Sequence, residues 1–166
     1  MQFVVAGEPV EFSEREVAMR SLRSFFSPAD MKAILEAIQK AESRTSGEIM
    51  VRVERKAGKD PMAVARKAFD ALGMRNTELH NGVLFLVAIA DRRFVVLGDD
   101  GINEKVPQGF WNKVRDVVME HFGKGAFGEG LAEGIRLAGE QLAIFFPHQA
   151  ADANELPDAI SYADER

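Results

Sequence analysis

The stretch from Asn81 to Ile102, NGVLFLVAIADRRFVVLGDDGI, constrains the fold more than any other part of the chain. An unbroken apolar run, Val83 to Ala90, meets a charged turn at Asp91, Arg92 and Arg93. A second run, Phe94 to Leu97, stops at Gly98-Asp99-Asp100-Gly101. Short runs rich in valine, isoleucine and phenylalanine, bounded by turn residues, predict strand, tight turn, strand. The glycine-flanked acidic pair predicts a carboxylate-bearing loop at the rim of the sheet. An apolar run without alternation is buried on both faces, so the first of the two strands belongs in mid-sheet.

The neighbouring segments supply partners for that hairpin. Ile49, Val51 and Val53 alternate with Met50, Arg52 and Glu54, which predicts a half-buried strand over 48–54. Asp60-Pro61 caps a helix that turns Ala65, Ala68, Phe69 and Leu72 inward and is stopped by Gly73. Strand, helix, strand in this order is a crossover unit with parallel strands. The turn at Asp91-Arg92 then makes 93–97 antiparallel to its predecessor.

Further helices surround this sheet. Ser13-Glu14-Arg15-Glu16 has the pattern of a capping box and predicts a short first helix to about Phe26. Ser27-Pro28 starts another, with Met31, Ile34, Leu35, Ile38 and Ala41 on the 3.6 period. Glu42 falls at the far end of that apolar stripe, where a carboxylate is out of place. Pro107 is expected to open a helix with Phe110, Trp111, Val114, Val117, Val118 and Phe122 on one side. The joint Gly123 to Gly128 lacks the strand-loop-helix context and Lys-Ser/Thr ending of a phosphate cradle, so it reads as a helix-helix connector. The last helix carries Leu131, Ile135, Ala138, Leu142 and Phe145 and ends at Phe146-Pro147. The expected class is α/β, a three-layer α/β/α sandwich around a small mixed sheet.

Length and charge limit what such a domain does. The 166 residues are enough for one domain with a real core, and the expected division is an extension over 1–27, the α/β domain over 28–147 and an acidic, disordered tail over 148–166. The tail carries a net −4 of the chain's −5, which leaves the domain nearly neutral and without the basic patch that nucleic acid selects. There is no cysteine, which excludes disulfides, thiolate metal sites and a cysteine nucleophile. No stretch approaches the roughly 18 apolar residues of a membrane span. The start, MQFVVAGEPVEF, lacks the basic region of a signal peptide. The expected location is cytoplasmic.

Geometry assigns the loops to edges. Thr45-Ser46-Gly47-Glu48 at the start of the first strand, His80-Asn81-Gly82 at the start of the second and Gly98 to Gly101 at the end of the third share one edge. Asp91 and Arg92 fall on the opposite edge with Arg55, Lys56 and Asp60. That edge holds enough arginine and lysine for an anion, but charged turns there serve solubility, and Asp91 is expected to pin the hairpin through local hydrogen bonds.

Glu42, Thr45-Ser46-Gly47-Glu48-Ile49, Asn81-Gly82-Val83-Leu84, Asp91-Arg92 and Gly98-Asp99-Asp100-Gly101-Ile102 resemble, in order and approximate spacing, the TPM domain. Val106-Pro107, Phe122, Gly125, Phe127 and Gly130-Leu131 continue the likeness, which covers roughly 28–147. The resemblance implies an α/β/α sandwich. It also implies kinship with thylakoid-lumen proteins of photosystem II repair, some described as acid phosphatases or calcium binders. Typical members carry a signal segment and often a C-terminal membrane helix or glycine-rich tail, none of which this sequence shows.

The acidic edge suggests a cation. Asp99 and Asp100, with Glu48, Glu42 and Glu104, put several carboxylates toward one region. Like charges at such distances repel by on the order of 1 kcal/mol or more per pair. A hard divalent ion, Ca²⁺ or Mg²⁺, relieves this with oxygen ligands, to which Asn81 or Thr45 would add a neutral one. The candidate metal ligands are therefore Glu48, Asp99, Asp100, Glu42 and Asn81. Three functions are compatible with this edge: a divalent-cation-binding module for protein interaction or quality control, a weak metal-dependent acid phosphatase with Asp99 or Asp100 as base, and a metal-free interaction module that docks a protein partner through the tail and first helix.

Overall fold

The computed structural model describes residues 3–5, 22–149 and 160–163. Five strands form one sheet: β1 (Phe3–Val5), β2 (Glu48–Glu54), β3 (Gly82–Ala88), β4 (Arg93–Gly98) and β5 (Ile160–Tyr162). Their spatial order is β1-β4-β3-β2-β5. β2 and β3 are parallel and β3 and β4 antiparallel, as the sequence pattern requires, and β3 lies at the centre of the sheet. The helices are α1 (Pro28–Glu42), α2 (Pro61–Ala71), α3 (Asp100–Asn103), α4 (Phe110–Gly123) and α5 (Phe127–Phe145).

Strand alternation sorts the apolar side chains into two cores. Ile49, Val51, Val53, Val83, Phe85, Val87, Phe94 and Val96 face the layer of α1, α4 and α5. Met50, Leu84, Leu86, Val95 and Leu97 face α2 through Met62, Ala65 and Phe69. Every residue of β3 is buried, because helices cover both of its faces. This is the expected α/β/α sandwich.

Local chemistry sets the helix ends. Ser27 Oγ accepts the Asp30 N–H at 3.0 Å while Asp30 Oδ2 accepts the Ser27 N–H at 3.1 Å, a reciprocal cap with Pro28 in the first turn. Asp30 Oδ1 also accepts the Gly128 N–H at 3.2 Å, so one carboxylate closes the starts of both α1 and α5. The glycine-rich segment is the connector between α4 and α5 that the sequence suggests. α4 starts at Phe110, three residues later than Pro107, because Gly109 holds a left-handed φ of 83° that α-helix excludes.

Both chain ends depart from expectation. The capping-box segment 13–21 lies outside the described residues, and the described end of that stretch, Leu22–Ser24, is a 3₁₀ turn. Leu22, Phe25 and Phe26 are buried in the main core. Ile160–Tyr162, within the segment expected to be a solvated tail, pairs in parallel with β2. A tail assignment from acidic composition overlooked three residues whose backbone completes a ladder and whose Ile160 and Tyr162 pack on the main core.

Candidate functional site

The sheet register carries the candidate edge. Glu48 stands opposite Gly82, and Val83 opposite Gly98, so the starts of β2 and β3 and the end of β4 form one row. Buried polar residues collect there: Thr45, Glu48, Thr77, Asn81 and Asp99. Polar groups are buried only where the fold satisfies them or a ligand does, so each group's partner decides its role.

Asp99 is the most enclosed, at 0% exposure. It caps α3, with Oδ1 accepting the Asp100 N–H at 2.8 Å. Its own N–H donates to the Gly82 carbonyl at 2.9 Å, which fastens the loop to β3. Oδ2 has no hydrogen bond among the described residues. An imidazole and a guanidinium flank it at longer range: His80 Nδ1 lies 3.5 Å from Oδ2 and Arg75 Nη1 lies 3.9 Å from Oδ1. Arg75 is held first by Asp70 and stacks over Phe69, 5.7 Å from the ring centre. The His80 side chain is 60% exposed, and with Nδ1 toward Asp99 its Nε2 is the nitrogen left for a ligand. His80 itself holds a left-handed φ of 52°, an uncommon conformation for a residue with a side chain.

Close backbone packing keeps this loop in place. A Cβ on Gly101 would sit 2.2 Å from the Leu79 carbonyl oxygen and 2.5 Å from that of His80. Only glycine lets the Asp99 loop and the 79–80 segment approach so closely. Behind them, Trp111 Nε1 donates to Asn103 Oδ1 at 2.8 Å, and Asn103 Nδ2 donates to the Gly98 carbonyl at 2.7 Å. Trp111 is thus a buried wall of the loop rather than a surface ring.

The glutamates form a separate unit. Glu42 Oε2 accepts the Ile49 N–H at 2.9 Å, which explains a carboxylate at the end of the α1 stripe. Its carboxyl also hydrogen-bonds the Glu48 carboxyl, itself only 4% exposed. Burial raises the Glu42 pKa above the ordinary carboxylate value, against the lowering effects of the Ile49 N–H and the Glu48 hydrogen bond.

The remaining candidates are used or exposed. Thr45 Oγ1 lies 3.1 Å from the Leu142 carbonyl, reaches that of Phe146 too, and accepts the Gly47 N–H at 3.0 Å, so it closes the end of α5. Asn81 Nδ2 donates to Ser46 Oγ at 3.3 Å. Asp100 and Glu104 are exposed. Glu42 and Glu48 thus bond each other while Asp99 faces His80 and Arg75. Among the described residues no three His, Asp or Glu side chains gather closely enough to hold a metal ion.

Sequence reasoning missed Arg75 and Thr77. Thr77 is 3% exposed and its Oγ1 has no hydrogen bond among the described residues. Both lie between the helix stop at Gly73 and the start of β3. Their position just before a strand that opens on this edge was the available signal.

At the opposite edge Asp91 Oδ2 accepts the Ala57 and Gly58 N–H groups, both at 2.9 Å. The expected local pin is in fact a long-range one, joining the β3–β4 turn to the loop after β2.

The sequence profile of the TPM domain matches residues 21–141. The chain belongs to the TPM domain family. Among solved structures it is similar to the BA42 protein of the psychrophilic bacterium Bizionia argentinensis, at 42% identity and a TM-score of 0.78, over 87% of this chain and 100% of that one. The N-terminal domain of a P. gingivalis protein shares the fold at 22% identity and a TM-score of 0.61, over 76% of this chain and 83% of that one. The N-terminal domain of the Corynebacterium glutamicum protein cg2496 shares it at 13% identity and a TM-score of 0.55, over 84% and 81%. Among curated proteins nothing matches. No helix among the described residues is long and apolar enough to cross a membrane.

Proposed function

We propose that this TPM domain is a binding module whose working edge is the Asp99 loop, and that its ligand is a hard divalent cation, Ca²⁺ or Mg²⁺. One observation carries the reading: a wholly buried carboxylate, Asp99, keeps Oδ2 without a hydrogen-bond donor among the described residues. An unsatisfied buried charge is costly, and a cation offsets that cost. The set Glu42, Glu48, Asn81, Asp99 and Asp100 does not fit a single cage, since the glutamates are bonded to each other. In this reading Asp99 is the charged ligand, and neutral oxygens of the surrounding loops supply the rest. Ca²⁺ accepts such mixed ligands and completes its shell with water.

The test is thermal denaturation of chelator-treated protein with and without millimolar Ca²⁺ or Mg²⁺. A ligand that binds only the folded state raises the midpoint by mass action. Wild type is expected to gain stability with the ion and Asp99→Asn to gain none. An equal gain in both proteins would place the ion elsewhere.

A second reading, phosphoester hydrolysis, draws on the guanidinium and the imidazole beside the same carboxylate. Arg75 offers charge for a phosphate and His80 an exposed ring nitrogen. Turnover of p-nitrophenyl phosphate that disappears in Asp99→Asn and in His80→Ala would favour it. Absence of turnover in wild type with either ion would remove it.

A further inference from the structure

The peptide group between Gly98 and Asp99 is fastened at both ends. Its carbonyl accepts a hydrogen bond from Asn103 Nδ2 at 2.7 Å, and its N–H donates to the Gly82 carbonyl at 2.9 Å. A trans peptide is planar and points these two groups opposite ways, so the pair of bonds fixes its tilt. The following peptide is held as well. Its carbonyl, that of Asp99, accepts the Asn103 N–H at 3.0 Å, and its N–H, that of Asp100, donates to Asp99 Oδ1 at 2.8 Å. Asn103 therefore grips both peptides that flank Asp99, one through its side chain and one through its backbone. With both planes fixed the Asp99 Cα–Cβ direction is fixed, and the position of Oδ2 follows once Oδ1 is held.

Asn103 is oriented in turn from behind. Trp111, 1% exposed in the main core, donates from Nε1 to Asn103 Oδ1 at 2.8 Å. An indole N–H only donates, so the asparagine turns its oxygen to Trp111 and keeps its NH₂ for the Gly98 carbonyl. A Cβ on Gly98 would lie 2.6 Å from Trp111 Cζ2 and 2.9 Å from Asn103 Oδ1, so ring and amide pack directly on this residue. An aspartate in place of Asn103 would keep the Trp111 bond but set an oxygen against the Gly98 carbonyl, acceptor facing acceptor.

We propose that Asn103 is the positioning residue of the Asp99 site, setting where Oδ2 points and acting through Gly98 and Asp99. This inference rests on the reading of Asp99 as an ion ligand. Groups behind a metal ligand fix its orientation, and their loss typically weakens metal binding by about 10- to 100-fold. Asn103→Asp separates position from charge. A negative charge added near the site would by itself tighten a cation, whereas a displaced Oδ2 weakens it.

The experiment compares the full chain of wild type and Asn103→Asp by amide NMR, first without metal and then with Ca²⁺. Without metal, exchange of the Asp99 and Asp100 amides in the variant should rise at least about tenfold relative to that of the β3 amides. With Ca²⁺, the variant should need at least about tenfold higher concentration for half-saturation. Equal or tighter Ca²⁺ binding by the variant, or unchanged relative exchange at Asp99 and Asp100, overturns the proposal. If wild type binds no Ca²⁺, the ion reading fails by itself, and the exchange comparison alone decides the positioning role. If Asn103→Asp does not fold, Trp111→Phe takes its place, since it frees the amide to turn over. That variant should show the same two effects at several-fold, and neither effect would overturn the proposal by its presence, whereas the absence of both would.

Discussion

Asp91 and Asp99 both end a strand of the same hairpin, one at each edge of the sheet, and they serve opposite purposes. Asp91 Oδ2 takes two backbone N–H groups from Ala57 and Gly58, a loop far away in sequence. Asp99 takes one, from the residue next to it. Each keeps another oxygen without a hydrogen bond among the described residues. Asp91 is half-exposed, however, whereas Asp99 is fully buried with an exposed imidazole and guanidinium nearby. The first carboxylate ties two loops together. The second caps a single turn and keeps a wholly buried oxygen without a hydrogen bond among the described residues. A carboxylate's role therefore follows from what its oxygens accept, not from its place at a strand end.

The largest expected effect strikes the Asp99 side of this comparison through its backbone. Gly101→Ala should lose about 3 kcal/mol or more, since the added methyl meets two carbonyl oxygens of the 79–80 segment. Denaturant unfolding measures it, and a loss under 1 kcal/mol would mean the two loops are free to separate. Asp91→Ala comes next, at about 2 kcal/mol, because two charge-assisted hydrogen bonds go. That is roughly 4–8 °C in melting temperature for a chain of this size. Asp99→Asn should cost less than about 1 kcal/mol, as asparagine caps a helix nearly as well as aspartate. If Asp99→Asn proved more damaging than Asp91→Ala, the division of roles would be reversed.

The smallest effect concerns Glu42, whose folded pKa lies above its unfolded value. The folded state then holds a proton that the unfolded state has lost. That contribution is fully present below about pH 4.5, the ordinary value, and is lost as pH rises through the folded one. Glu42→Gln removes the titration, so the variant should gain on wild type as pH rises from 4.5 to 8. Melting curves across that range check it, and a constant difference would show that burial does not raise the Glu42 pKa.

Periodicity made the central elements legible. β2 spans 48–54 as alternation suggests, and the parallel and antiparallel pairings follow from the connections between strands. The short α3 was not legible, since four residues are too few for a 3.6-residue period to declare itself. β5 was hidden because Ile160-Ser161-Tyr162 sits in acidic sequence and gains its order from the β2 edge, a tertiary cause. At the candidate site, glycines around Asp99 and Asp100 marked the edge where buried polar residues collect, and Glu42 stood out as a charge on an apolar stripe. Its bond to Glu48 depends on how residues 43–47 turn, and the approach of His80 and Arg75 to Asp99 on how the chain turns after Gly73, which residue type does not encode. Candidates assigned to one site consequently divided into two.

The most direct test of the Asp99 account is a two-dimensional amide NMR titration of chelator-treated protein with Ca²⁺ and then Mg²⁺, in wild type and Asp99→Asn. The account predicts saturable shifts centred on Thr77 to Gly82 and Gly98 to Gly101 in wild type and none there in the variant. Shifts centred on Glu42 and Glu48, or no shifts at millimolar ion, would contradict it.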